Sequence, residues 1–579
     1  MKKLNLVLVC IMFFSSAGIA QLKVEDKVFL GKLPKKKLIQ LGWEQPSPQI
    51  LKQNYQMMEA SSQFDGITIC LRDTVNGFPV TDGSVFGNKE IRKEYLQKSI
   101  NDLKACKLTK FKHNFLRINT VPGNLKWDDE KAWETVAKNM GVMAWFIKEG
   151  GLEGMCYDSE SYGEPQFQWN QKSGLTFLET QFYARKRGQQ IMTAINEENP
   201  SIVMWGLFFF SWVRNTLQSA DIHNLLENNK YGLYPAFING LLDKAVSTTK
   251  FVEGNEEGYY AKNDAELHLL YNDAKMKSLA LIAPENISKF KNQFSVSFGL
   301  YTDMYSNPQS STYYIGPEAN RTRLERFRDR ITASLDICDE YVWIYNERYK
   351  FWNIPFCEAG YNEVAKNNVN GYTLCEQILP GLTKSFEYAK NPTEHTKSLI
   401  STSKNINNLA INGDFEDVSK NTTVEILDWY NKNCPAGYLL YKDQDATTAF
   451  NIVAHAGTNN TNATVASGKG GGILIQQIAV TPGEKYAVSI DGKKTGGTMS
   501  LLIKWLNDNN QINSWYFDKE TSFESLENNV WTNATLIITV PPEIKKLNVL
   551  IVVKPQNGTD KFYFDNIKVV EVNGFLRRN

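Results

Sequence analysis

Asp158 and Glu160 stand in the segment Gly151 to Gly163, GLEGMCYDSESYG, where an apolar run breaks off at Asp158, Ser159 and Glu160 before a turn of Ser161, Tyr162 and Gly163. If the run is a strand, its period of two puts the two carboxylates on the same side. Carboxylates forced together at a strand end repel, and one is then held protonated near neutral pH. A protonated acid beside an ionised carboxylate is what glycosidic bond cleavage needs. The same D-x-E would also serve to cap a helix or salt a loop. Its meaning depends on the elements that carry it.

From about residue 35 to 360, short apolar runs alternate with longer amphipathic ones. Lys37–Trp43, Phe64–Arg72, Asn114–Thr120, the opening segment, Ser201–Phe210, Phe251–Glu253, Ser295–Asp303 and Tyr341–Glu347 read as eight strands. Helical spacing is predicted over Ser47–Met58, Lys89–Cys106, Asp129–Glu149, Leu175–Glu198, Leu233–Ser247, Asp264–Leu281 and Arg321–Asp339. Apolar runs without polar alternation are what strands buried on both faces look like. The pattern predicts a (β/α)8 TIM barrel. An open doubly wound sheet would want a Gly-rich phosphate turn after an early strand, and the sequence has none.

Active sites of such barrels lie at the C-terminal ends of the strands. Asp158 and Glu160 fall at the end of the fourth, as the candidate catalytic pair. Arg72 and Asp73 end the second strand, Asn119 the third, and Trp212 and Arg214 follow the fifth. Glu253, Asn255 and Glu256 follow the sixth, Tyr301 and Asp303 the seventh, and Tyr345, Asn346 and Glu347 the eighth. Singly, each is a plausible loop or rim residue. As a ring they predict a cleft for a polyhydroxylated substrate, with Arg72, Asn119, Trp212, Glu253, Tyr301, Asp303, Tyr345 and Glu347 as binding residues. A second plan puts the pair on two strands, Glu160 with Glu347, Glu253 or Asp303. About 5 Å between them implies retention, and roughly 6.5–9.5 Å inversion.

The run from Gly151 to Glu160 resembles the fourth-strand signature of chitinase-type glycoside hydrolases, a series of alternating aspartates ending in a glutamate general acid. On that resemblance Glu160 matches the acid, and Asp158 the neighbour that orients the substrate acetamido group. Cys156 stands where an aspartate is expected, and Glu153 at the outermost aspartate. The resemblance implies a retaining, substrate-assisted mechanism and covers about ten residues. In architecture the whole chain resembles secreted barrel proteins of polysaccharide-degrading bacteria.

Basic and acidic residues number 64 and 63, so nothing points to a polyanionic partner such as nucleic acid. Met1 to Gln21 reads as a secretory signal, with Lys2 and Lys3, an apolar run from Leu4 to Phe14, and a cleavage site after Ala20. No other run is long and apolar enough to span a bilayer. The mature protein is therefore expected to be secreted or periplasmic. Of eight cysteines, Cys10 leaves with the leader. Most of the others (Cys70, Cys106, Cys156, Cys338, Cys357, Cys375 and Cys434) are expected to be buried thiols. Scattered histidines and the missing G-x-S-x-G elbow argue against zinc catalysis and against a serine or cysteine triad, so no catalytic cofactor is expected.

After the polar run Ser401 to Asn408, Gly, Asn and Thr rise and strands recur about every ten residues, which predicts an antiparallel β-sandwich over 409–579. Domain limits are placed at 1–20 for the leader, 21–400 for the barrel and 401–408 for a linker. Asn412 to Glu416, Thr481 to Tyr486, Trp531 to Pro541 and Phe562 to Ile567 resemble segments of galactose-binding-like jelly rolls used as carbohydrate-binding modules. In many such modules the first and last segments meet at a structural calcium, for which Asp414, Glu416 and Asp565 are suited donors. Trp505, Trp515 and Tyr516 are candidates for stacking on sugar faces, with core packing as the competing reading. The chain is thus expected to be an exported glycoside hydrolase acting on a poly- or oligosaccharide. The alternative is a non-catalytic glycan-binding protein with a degenerate barrel.

Overall fold

The computed structural model describes residues 35–72, 80–81, 83–160, 162, 165–219, 221–318, 321–354, 373–402, 407–419, 434–442, 445–506, 508–510, 512, 519–522, 527–541 and 544–572. The leader at 1–20, Asp73, Cys357, Trp515 and Tyr516 lie outside these residues. The chain divides into two compact units, 1–390 and 391–579.

The first unit is a parallel barrel. Its strands are β1 (Lys37–Gly42), β2 (Gly66–Ile69), β3 (Phe115–Asn119), β4 (Gly154–Asp158), β5 (Val203–Gly206), β6 (Lys250–Glu253), β7 (Phe294–Val296), β8 (Phe298–Tyr301) and β9 (Tyr341–Asn346). They are hydrogen-bonded in the order β7-β6-β5-β4-β3-β2-β1-β9-β8. One strand was expected at Ser295–Asp303, and it is broken into two at Ser297. β7 pairs with β6, whereas β8 pairs with β9. The Ser297 N–H donates to the Glu253 carbonyl at 2.8 Å. The ring therefore closes through the chain itself.

Local signals set the helices between the strands. Ser47 caps Pro48–Ala60, and Asp129 caps Glu130–Gly150. Thr176 and Glu179 form a reciprocal capping box on Phe177–Glu198. Gly151, at φ 70°, ends Glu130–Gly150 in a left-handed turn and feeds β4. The expected fifth strand is shorter than its apolar run: Phe208 to Phe210 leave the sheet and pack into the core ahead of a 3-10 turn, Ser211–Gln218. Apolarity marks burial there, not strand geometry.

An aromatic column fills the interior. Tyr341 packs edge-on to Phe115, Phe115 to Trp205, Trp205 to Trp343, and Trp343 to Tyr259, with ring centres 5.2–5.7 Å apart. Trp343 also donates its indole N–H to the Gly254 carbonyl at 2.8 Å. A Cβ on Gly299 would lie 2.4 Å from that indole, so glycine is required where the ring crosses β8. Removing the ring leaves a cavity in the middle of the column. Trp343→Ala is expected to lower the stability of the first unit by about 3–5 kcal/mol, read from the urea midpoint of the full chain.

The second unit is a sandwich of two five-stranded antiparallel sheets. One sheet runs β10 (Leu439–Lys442), β13 (Gly472–Ala479), β18 (Lys546–Lys554), β15 (Thr498–Leu506) and β16 (Lys519–Ser522). The other runs β11 (Ala449–Val453), β12 (Ala463–Ser467), β19 (Lys561–Glu571), β14 (Lys485–Lys494) and β17 (Thr532–Thr539). A helix, Pro392–Thr402, belongs to this unit and packs Ile400 with Ala487 and Val572. Trp505, a candidate for sugar stacking, is 2% exposed inside the sandwich core. The period of two along β15 turns it inward with Leu501 and Ile503, so its faces are not available to a sugar. Cys106, Cys156, Cys338, Cys375 and Cys434 are free thiols, and Cys70 is disulfide-bonded.

Candidate active site at the barrel mouth

Parallel pairing of β3 with β4 sets Arg117 opposite Cys156 and Asn119 opposite Asp158. Asp158, the last residue of β4, is fully buried. Arg117 sits two residues below Asn119, so its guanidinium rises along the barrel wall and pairs with the Asp158 carboxylate, Nη2 to Oδ2 2.9 Å. Cys156 lies in the same layer, and burial pushes its thiol pKa far up, so it is no nucleophile.

Beyond the strand end the chain folds back on this pair. The Glu160 N–H donates to Asp158 Oδ1 at 3.0 Å. The Tyr162 hydroxyl donates to Glu160 Oε2 at 2.5 Å and lies 3.1 Å from Asp158 Oδ2. Burial, then the charge of Asp158, raise the Glu160 pKa, against the opposing pull of the Tyr162 hydrogen bond and of Arg117 and Lys230. The strand period that joins the two carboxylates is thus replaced, past Asp158, by a turn that achieves the same approach.

Tyrosines line the other side of the mouth. Tyr301 and Tyr345 have ring centres 5.0 Å apart, and Tyr259 stacks on Tyr345 at 6.0 Å. Both Tyr301 and Tyr345 donate hydroxyls to Glu347. These three predicted binding residues are therefore brought together as one cluster. Tyr259, which also packs against Trp343, was not among them. Glu256, three residues upstream, is half-buried and faces Glu160, Asp158 and Arg117. The sequence pattern places Glu256 after the sixth strand but not among the binding residues, and Tyr259 carries no signal beyond its i,i+3 spacing from Glu256.

Other predicted contacts prove to be internal. Glu253 is 1% exposed, and its carboxylate accepts the N–H groups of Phe209, Phe210, Ser211 and Asn255 and the Ser211 hydroxyl. It laces the loop after β5 and has no face for a substrate. Asp303 is likewise buried and accepts the N–H groups of Glu347 and Arg348. Neither fits the role of a second catalytic carboxylate. Trp212 stacks on Phe208 at 4.2 Å and is edge-on to Tyr231, half-buried. Asn119 is buried and donates its N–H to Thr81, while Arg72 is half-buried beyond β2. Glu44, which no sequence signal marked, accepts the N–H groups of Phe351 and Trp352 and is fully buried.

Among the described residues, no three histidine, cysteine or acidic side chains converge as a metal site. The expected calcium ligands are engaged by protein donors. Asp565 Oδ2 accepts the N–H and hydroxyl of Thr458 and the hydroxyl of Thr461, and Glu416 accepts both nitrogens of Asn462. Asp414 Oδ1 accepts the Glu416 N–H at 3.4 Å.

Residues 407–558 match the family model for a carbohydrate binding domain, CBM4/9. The second unit thus carries a carbohydrate-binding domain of that family, and the first is a parallel barrel. Among solved structures, the enzymatically active domain of bacteriophage CBA120 tailspike protein 4 is 14% identical over 28% of this chain and 21% of its own, with a TM-score of 0.22. The match thus spans about a fifth of that relative. A family 16 carbohydrate binding module-2 is 20% identical over 28% of this chain and 100% of its own, at a TM-score of 0.20. TmCBM61, solved with β-1,4-galactotriose, is 13% identical over 28% of this chain and 98% of its own, at 0.21. Likeness of that extent assigns neither ligand nor reaction. None of the curated proteins matches the chain.

Burial pushes the carboxyls of Glu44 and Asp303 up to about 7 in each case. A carboxyl whose folded pKa exceeds its unfolded one favours the fold when protonated, so its contribution is complete below about 4.5 and is lost as pH rises through about 7. The first unit is expected to lose stability between about pH 4.5 and pH 7, by about 3 kcal/mol for Glu44 alone. Glu44→Gln should flatten that part of the slope in urea unfolding at a series of pH values, leaving the share of Asp303.

Proposed function

We propose that the protein is an exported glycoside hydrolase in which Glu160 is the general acid. The observation that carries this reading is the Glu160 carboxyl at the barrel mouth, pushed up by burial and by Asp158 and hydrogen-bonded by Tyr162. Such an acid keeps its proton toward neutral pH and can give it to the leaving oxygen of a glycosidic bond. Asp158, fully buried and clamped by Arg117, raises the pKa of that acid. Tyr345 and Glu347, both half-buried, offer a ring and a carboxylate to a polyhydroxylated substrate, with Tyr301 buried behind them. A carbohydrate-binding domain in the same chain supports a glycan as that substrate. Export rests on the leader at 1–20. Among the described residues no helix is long and apolar enough to cross a membrane.

The test is hydrolysis of an oligosaccharide panel by the chain without residues 1–20, with Glu160→Gln alongside. The variant is expected to lose at least about a hundredfold in kcat/KM while still binding glycan. The parent rate should fall as pH rises through the Glu160 pKa, since the acid must carry its proton. Cleavage that survives in Glu160→Gln removes the assignment of the acid. No cleavage by the parent, with glycan binding retained, leaves a glycan-binding protein with a degenerate barrel.

A further inference from the structure

Glu256 stands where a second working carboxylate is missing. The turn that presents it is tightly held. Asn255 is fully buried and left-handed at φ 50°, its N–H is taken by Glu253 Oε1 at 3.1 Å, and its amide donates to the Leu270 carbonyl at 3.3 Å. Glu256 then opens the 3-10 turn Glu256–Tyr260 and takes a hydrogen bond from Tyr259, whose ring is fixed against Trp343 and Tyr345. Its Oε2 is buried and accepts no hydrogen bond. Both carboxylate oxygens of Glu44 and Glu253 are occupied by backbone N–H groups, whereas Glu256 Oε2, like Asp303 Oδ1, has no donor, and of these two acids only Glu256 lies beside Glu160 and Asp158. The charged and titratable groups facing Glu256 are Glu160, Asp158, Arg117, Tyr259, Tyr260 and Cys156.

Placement argues for the chemistry. β4 and β6 are separated by β5 alone, with Tyr157 and Glu253 both in register with Gly206, so the strand ends from which the chain runs on to Glu160 and Glu256 stand two strand spacings, about 9–10 Å, apart. Side chains reaching inward from that distance leave room between them for a sugar and a water, the wider of the two carboxylate arrangements in glycosidases. Burial, then the charges of Glu160 and Asp158, hold the Glu256 carboxyl well above its ordinary pKa, so the two glutamates tend to share one proton. Tyr259 and Arg117 favour the ionised form of Glu256.

We propose that Glu256 is the general base opposite Glu160, and that this barrel hydrolyses its glycoside with inversion. This rests on the hydrolase reading above. In the step, Glu160 gives its proton to the glycosidic oxygen as the bond to the anomeric carbon breaks, and the bonding pair leaves with that oxygen as a hydroxyl. Water attacks the anomeric carbon from the other side, and its proton passes to Glu256. One water is consumed, and the proton lost by Glu160 is gained by Glu256, from which solvent returns it.

The experiment measures kcat/KM against pH for the parent, Glu256→Gln and Glu256→Asp on whichever panel oligosaccharide the parent cleaves, with the anomer of the first product read by NMR. Urea unfolding checks that each variant is folded. Expected are an inverted anomer from the parent and a loss of about a hundred- to ten-thousandfold in Glu256→Gln. The acidic limb should vanish in that variant and return, at reduced rate, in Glu256→Asp. A folded Glu256→Gln within tenfold of the parent, or a retained anomer, overturns the assignment of Glu256 while leaving the hydrolase reading and Glu160 intact. A parent that cleaves nothing overturns both.

Discussion

A carboxylate taken out of water must find donors or give up its charge, and the barrel mouth is organised by which of these happens to each one. Glu253 at the end of β6 takes its donors from the loop after β5. Asp303 beyond β8 takes them from the turn after β9, and Glu44 beyond β1 from that same turn further on. Each carboxylate therefore binds backbone contributed by a neighbouring strand. The rim is laced sideways, and the loops that shape the cleft are held by acids that never meet a substrate.

Against that lacing, Glu160 and Glu256 stand out because their surroundings are other acids and tyrosines. The pairing of Arg117 with Asp158 supplies one positive charge to a region holding three carboxyls. Protons must balance the rest. Burial and like charge push both glutamates in the same direction, which is how a site can keep an acid and a base within reach of one bond. The aromatic column beneath them, from Tyr341 up to Tyr259, excludes water from the floor and sets the heights of the side chains above it.

The sandwich follows a different economy of burial. Its strands alternate, so the inward residues Leu501, Ile503 and Trp505 make the core. The carboxylates at its edge, Glu416 and Asp565, are tied to the loop Thr458–Asn462 by hydrogen bonds. The donors that satisfy them are the groups a cation would have to displace.

The barrel was legible in the sequence because buried strands and amphipathic helices have different periods. Asp158 and Glu160 could be placed at the end of β4, and the texture after residue 408 announced a β-sandwich. The caps Ser47, Asp129 and Thr176 mark helix starts through their own side chains, a purely local matter. Glu253 and Glu256 are three positions apart, and nothing in the sequence distinguishes a rim staple from an acid facing the cleft. That difference depends on which backbone N–H groups come within about 3 Å, and most of those belong to residues more than forty positions away. The break at Ser297 is similar, since it answers to two neighbours, β6 and β9, and not to its own propensity. Local chemistry thus determined the elements and their ends. Only the closing of the ring decided which of the polar groups at those ends are used up by the fold and which are left for chemistry, because satisfaction of a buried charge is a property of the space around it.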